Sequence, residues 1–158
     1  MDPKKKRLAA AATIATALAV PMEGLRQWAY YDPPGILTVC YGSTKNVVKG
    51  KKYSLEECKA RLDSDMMAAA EMVERCVPGL PMHKLAAFAD AVYNMGPTIT
   101  CDTAKSTAAR LLAAGKTEEA CRQLPKWNKA KVGGVFVALP GLTKRRNAEM
   151  ELCLQGDS

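Results

Sequence analysis

A chain of 158 residues has room for one globular domain and a short appendage, but not for two full cores. With 48% hydrophobic and 25% charged residues, the composition argues against disorder. The net charge of +7 suits an anionic partner such as nucleic acid, a phospholipid surface or the bacterial envelope, and charge alone does not choose among these.

The chain opens on Lys4-Lys5-Lys6-Arg7, followed from Leu8 to Met22 by a stretch with no charge (LAAAATIATALAVPM). A basic start before an uncharged, Ala-rich stretch has the layout of an export segment. An ordinary amphipathic first helix is the alternative, but the stretch shows no polar face. It is too short and too weakly apolar for a stable transmembrane helix, which needs about 20 apolar residues. The positive-inside rule would hold Lys4 to Arg7 in the cytoplasm while the rest crosses. Residues 1–22 are therefore read as an export segment and 23–158 as the folded domain.

Residues 29–53 interleave β-branched and aromatic residues with Pro33-Pro34-Gly35, Gly42 and Gly50, predicting a small sheet or hairpin pair. Ser54-Leu55-Glu56-Glu57 is a capping box that opens a helix. Leu55, Cys58, Leu62, Met66, Ala69, Val73 and Cys76 then form one apolar stripe about six turns long, ended by Pro78-Gly79. A second helix is expected from Met82 to Asn94, stopped by Gly96-Pro97. A third covers 103–114, capped by Asp102 and closed by Gly115. Thr117 starts a fourth, which ends near Pro125, and Thr143 starts a last one reaching about Leu154. The class is α+β, mainly helical, with one small β region near the beginning.

Six cysteines, Cys40, Cys58, Cys76, Cys101, Cys121 and Cys153, follow the export segment and none forms a CxxC pair. Zinc spacing is absent, so no metal is expected and no cofactor is needed. Buried thiols are one reading, but export to an oxidising compartment favours up to three disulfides. Six cysteines allow fifteen connectivities. Sequence alone does not choose among them; the favoured set is Cys40–Cys58, tying sheet to long helix, Cys76–Cys101, tying that helix's end to a later loop, and Cys121–Cys153, joining the two late helices.

Glycoside hydrolysis needs a protonated carboxyl at the leaving oxygen and a second carboxylate as nucleophile or base. Glu23, Asp32 and Thr38 in EGLRQWAYYDPPGILT offer such a set. Glu23 falls where the apolar segment ends, and a carboxyl against apolar surface can stay protonated near neutrality. Asp32, in a polar turn, would stay ionised, and the Thr38 hydroxyl could orient a water. Eight residues separate Glu23 from Asp32 and five separate Asp32 from Thr38.

That spacing resembles the Glu–Asp–Thr triad of the phage lysozyme family, which includes the T-even lysozymes and the lambdoid signal-arrest-release endolysins. The resemblance continues through Thr38-Val39-Cys40-Tyr41-Gly42, Ala91-Val92-Tyr93-Asn94-Met95-Gly96, Ser106-Thr107, Trp127, and Gly141-Leu142-Thr143-Lys144-Arg145-Arg146 with Glu149 and Cys153. Five ordered matches across nearly the whole chain after Met22 make it specific. It implies two lobes joined by the long helix from Ser54, with a peptidoglycan strand in the cleft between them. It implies Glu23 as general acid, Asp32 as partner carboxylate and Thr38 as water-placing hydroxyl. It implies inversion of configuration, and Arg146 as the basic residue held near the glutamate. The activity implied is an endolysin muramidase acting on the N-acetylmuramic acid–N-acetylglucosamine β-1,4 bonds of peptidoglycan for host lysis.

Ala17-Leu18-Ala19 resembles a signal-peptidase site. In the family fold, however, the glutamate ends a helix, and Val20-Pro21-Met22 alone cannot build a turn. The segment is therefore expected to be retained, lying in the host inner membrane on its periplasmic side and later released to the periplasm. A monomer is expected, with transient membrane association through residues 8–22 and no nucleic-acid partner. Two other readings stand beside this one: a secreted antibacterial lysozyme toxin, and a non-catalytic peptidoglycan-binding module. His83, the single histidine, sits at the start of a helix beside Lys84, outside any catalytic or metal-ligand motif of the sequence. Trp28 and Trp127 fit core or cleft-wall packing better than sugar stacking, and Lys49, Lys51 and Lys52 read as a solvated run.

Overall fold

The computed structural model describes residues 2–156. Its elements in chain order are α1 (Pro3–Ala19), β1 (Arg26–Tyr31), β2 (Leu37–Cys40), α2 (Leu55–Cys76), α3 (Met82–Met95), α4 (Thr98–Cys101), α5 (Thr107–Ala113), α6 (Thr117–Cys121), a 3-10 turn (Leu124–Lys126), β3 (Lys129–Val132), β4 (Val135–Ala138) and α7 (Pro140–Cys153). The α+β, mainly helical, lysozyme-like class expected from the sequence is the observed one.

The export-like stretch is a helix, α1. Asp2 caps it by accepting the Lys5 N–H at 2.8 Å, and Pro3 sits at the first helical position, where its missing N–H costs nothing. Its buried face is built of small residues: Ala11, Ala15 and Ala19 are fully enclosed, with Leu8, Ala12 and Thr16 beside them. α3 answers with Ala86, Ala87, Ala89 and Ala91, also fully enclosed. Small side chains on both helices let their axes approach closely. Among the described residues no helix is long and apolar enough to cross a membrane.

α2 begins with the capping box in place: the Glu57 N–H donates to Ser54 Oγ and the Ser54 N–H to Glu57 Oε1. Cys58, Leu62, Met66, Ala69 and Val73 are buried along the expected stripe, whereas Leu55 is exposed because it precedes the first packed turn. The helix serves two cores. Cys58 joins a small cluster with Val39, Cys40 and Tyr53 beneath the β1–β2 hairpin, while Leu62 through Val73 belong to the large helical core with α1 and α3. One long helix thus joins the two lobes.

Three boundaries differ from the sequence reading. The fourth helix, expected to reach near Pro125, ends at Cys121 and is followed by a separate 3-10 turn over Leu124–Lys126. The third helix starts at Thr107, not 103, because Ser106 is its cap, accepting the Ala109 N–H at 3.0 Å and donating to the Ile99 carbonyl at 2.7 Å. Asp102 instead closes a local turn by accepting the Ala104 and Lys105 N–H groups. The last helix starts at Pro140, and the Thr143 hydroxyl accepts from Asn128 Nδ2 at 3.0 Å. The sequence reading had no counterpart to the β3–β4 hairpin, paired antiparallel from Lys129↔Ala138 to Val132↔Val135. Trp28 is exposed and so is not a core residue, whereas Trp127 packs partly buried against the main core. Disulfides join Cys40–Cys58, Cys76–Cys101 and Cys121–Cys153.

Candidate active site

Glu23 stands immediately beyond α1, and its N–H donates to the Ala19 carbonyl at 2.9 Å, so the helix end fixes where the residue leaves it. Its side chain is about one-fifth exposed and faces Arg145 of α7, whose Nη1 donates to Glu23 Oε1. The same guanidinium grips Asp90 of α3 with two arms, Nε to Oδ2 at 2.9 Å and Nη2 to Oδ1 at 2.7 Å. Asp90 is completely enclosed. Burial works against the charge on Arg145, but the hydrogen bonds and charge of Asp90, then Glu23, outweigh it and hold the guanidinium more firmly protonated than usual.

The β lobe reaches this cluster through Tyr41 and Gly42. Tyr93 of α3 donates its hydroxyl to the Tyr41 carbonyl at 2.6 Å. A side chain at Gly42 would meet Tyr93 Oη at 3.5 Å and Glu23 Oε2 at 3.9 Å, and its φ of +97° also suits glycine. Burial, then the charge of Glu23, pushes the Tyr93 phenol well above its ordinary range, so it remains a donor.

Asp32 and Thr38 lie on the β1–β2 hairpin. Asp32 Oδ1 accepts the Ile36 N–H at 2.8 Å, and the Thr38 hydroxyl donates to the Ile36 carbonyl at 2.9 Å. The two side chains are thus oriented by opposite ends of one residue's backbone. Asp32 is half-buried and Thr38 buried.

The basic residue at Glu23 is Arg145, not Arg146 as expected. Neighbouring helical residues point about 100° apart, so only one of the pair can face the cleft. Arg146 turns into the seam between α3 and α7, where Nη2 donates to Asn94 Oδ1 at 2.9 Å and to Glu149 Oε2 at 2.8 Å. The sequence showed both arginines, but only the phase of α7 assigns them. Asp90 was missed because an Asp inside an Ala-rich helical run gives no motif. Its one signal was a charge inside the apolar run Leu85–Val92 of that helix. Burial and a hydrogen bond with Asp90 push the Glu149 carboxyl well above the ordinary carboxyl range, against the pull of Arg146. His83 lies on the first turn of α3, far along the helix from Tyr93.

Helical lobe, β lobe, connecting helix and a glutamate at the end of the first helix define a lysozyme-type glycosidase fold. The chain matches the Phage lysozyme family over residues 20–149. It is 35% identical over 150 residues to the SAR-endolysin of Pseudomonas phage phiKMV, covering 93% of this chain and 91% of that protein. It is 32% identical over 170 residues to the SAR-endolysin of Enterobacteria phage P21, covering 99% of each. Among solved structures, it is similar to the muramidase domain of SpmX from Asticaccaulis excentricus, with a TM-score of 0.79, 27% identity, and coverage of 90% and 95% of the two chains. The chain belongs to the phage lysozyme family and is a glycoside hydrolase of the muramidase type, with the role of an endolysin.

Proposed function

We propose that this endolysin hydrolyses the β-1,4 bonds between N-acetylmuramic acid and N-acetylglucosamine in peptidoglycan, with Glu23 as general acid. The observation that carries the reading is the placement of Glu23: α1 ends beside it, Arg145 of α7 holds one of its oxygens, and the other faces Gly42 of the β lobe. Asp32 is the partner carboxylate and Thr38 places the attacking water, both aimed by Ile36. Water attacks the anomeric carbon from the face opposite Glu23, the glycosidic bond breaks, and the Glu23 proton goes to the leaving oxygen. Water's own proton passes to Asp32, and the product is inverted. Arg145 orients the Glu23 carboxyl in the role expected of Arg146. No cofactor enters this scheme. Mass spectrometry of muropeptides released from purified wall tests it: reducing-end N-acetylmuramic acid is expected, and anhydro ends would replace hydrolysis with transglycosylation.

The N-terminal segment in this reading is a retained, releasable anchor and not a cleaved signal. It first lies in the host inner membrane with Glu23 at the bilayer surface, away from Arg145, and later leaves for the periplasm. Two observations support it. Cleavage after Ala19 would strip Leu8, Ala11, Ala12, Ala15 and Ala19 from the core and remove the carbonyl that positions Glu23. Arg7, from the basic start, is also seated in the folded body, where it donates to Glu74 of α2 and to the Leu80 carbonyl. In this reading the domain is a monomer, and its cleft is complete only after α1 docks.

A further inference from the structure

We infer that Asp90 is a positioning residue for glycan cleavage: its two-armed grip aims Arg145 at Glu23, and its charge offsets the guanidinium there. This rests on Glu23 being the general acid. An acid must carry its proton when substrate arrives, yet a lone arginine against a carboxyl favours the ionised pair. The structure shows the arginine already committed to a second carboxylate. Asp90 has no exposure and takes two of the three donating nitrogens of Arg145, leaving one arm for Glu23. That grip also fixes the plane of the guanidinium, since two parallel bonds set its orientation as one cannot.

The groups facing this cluster come from every element around it. α3 brings Asp90 and Tyr93, α7 brings Arg145, Arg146 and Glu149, and Asp65 of α2 adds charge near Tyr93. Two carboxyls in contact in a buried site cannot both be ionised cheaply. Glu149, paired with Arg146 on the far side of this cluster, has its carboxyl pushed upward first by burial and then by Asp90. Asp90 therefore acts on Glu23 through one side chain, the Arg145 guanidinium that both carboxyls hold.

The test is the pH dependence of kcat/KM on purified peptidoglycan for wild type, Asp90→Asn and Asp90→Glu, with circular dichroism as a fold check. Removing the charge leaves Arg145 uncompensated beside Glu23. The alkaline limb of the Asp90→Asn profile is therefore expected to move about one pH unit lower. Asp90→Glu keeps the charge but shifts the grip by a methylene; its limb is expected to stay in place while kcat falls several-fold. A purely structural role would lower amplitude or stability without moving the limb. An unmoved limb in folded Asp90→Asn protein would overturn the inference, as would wild-type kcat in Asp90→Glu should the Asn variant not fold. Wall cleavage by Glu23→Gln would instead overturn the assignment of the acid, so the two failures are separable.

Discussion

Among the described residues Glu23 has a single charged hydrogen-bond partner, Arg145, and that partner sits on the helix most distant in sequence. Glu23→Gln keeps the shape and the Arg145 contact but removes the transferable proton. Wall clearing is expected to fall by at least about 10²–10⁴-fold, with little change in Tm, as measured by turbidity loss and thermal melting. Glu149 gives a prediction of opposite character. Its carboxyl is raised in the folded state above the ordinary 4.5. The stability it contributes is fully present below about pH 4.5 and is lost as pH rises through the folded value. Glu149→Gln keeps the neutral donor and removes that loss. Denaturant unfolding should show the variant gaining on wild type as pH rises from 4 to 8. An unchanged difference would mean that folding leaves the Glu149 carboxyl unshifted. The candidate triad was legible at this scale because Glu23, Asp32 and Thr38 lie within one short segment. Asp90 was not, because its meaning depends on an arginine 55 residues later.

The first helix is the element on which most depends, and Thr16 is its one irregularity. The Thr16 hydroxyl is enclosed, yet among the described residues it has no hydrogen-bond partner, whereas Thr13 donates to the Ala9 carbonyl at 3.0 Å. An enclosed, unpaired hydroxyl costs free energy that a methyl of the same shape does not. Thr16→Val is expected to stabilise the folded protein by about 1 kcal/mol in chemical denaturation, and also to slow departure from the membrane in fractionation. The Arg7–Glu74 contact acts in the other direction. It forms only when α1 is docked, so Glu74→Gln should lower Tm and loosen α1, read as faster hydrogen exchange over residues 8–19. The second hairpin carried a signal that went unread: two β-rich runs, KAKV and VFVA, flank Gly133-Gly134, a two-residue turn with both φ values positive.

Across the whole molecule, three disulfides close separations of 18, 25 and 32 residues. Each should contribute about 3 kcal/mol. Cys121→Ser/Cys153→Ser should lose about that much in denaturant unfolding, and non-reducing peptide mapping of periplasmic protein should find no free thiol. Retention of α1 is checked by intact mass. Active periplasmic protein should carry residues 1–19 and should move from membrane to soluble fraction on depolarisation. A fully active species beginning at Val20 would overturn the anchor reading.

The sequence by itself determined the local order of this protein. Capping box, apolar stripes, glycine stops and the Glu–Asp–Thr spacing are all short-range patterns, and each element or site they mark lies within a few turns of its signal. The tertiary structure decided whatever required two distant segments to meet in a particular phase. Arg145 rather than Arg146 reaches Glu23 because α7 docks on α3 with one rotational setting, and a step of about 100° per residue separates the two side chains. The same docking converts an isolated Asp in an Ala-rich run into the anchor of that arginine. It also turns an uncharged export-like stretch into the helix that completes the core and the cleft, because apolar pattern records only that a face will be buried and not what will bury it.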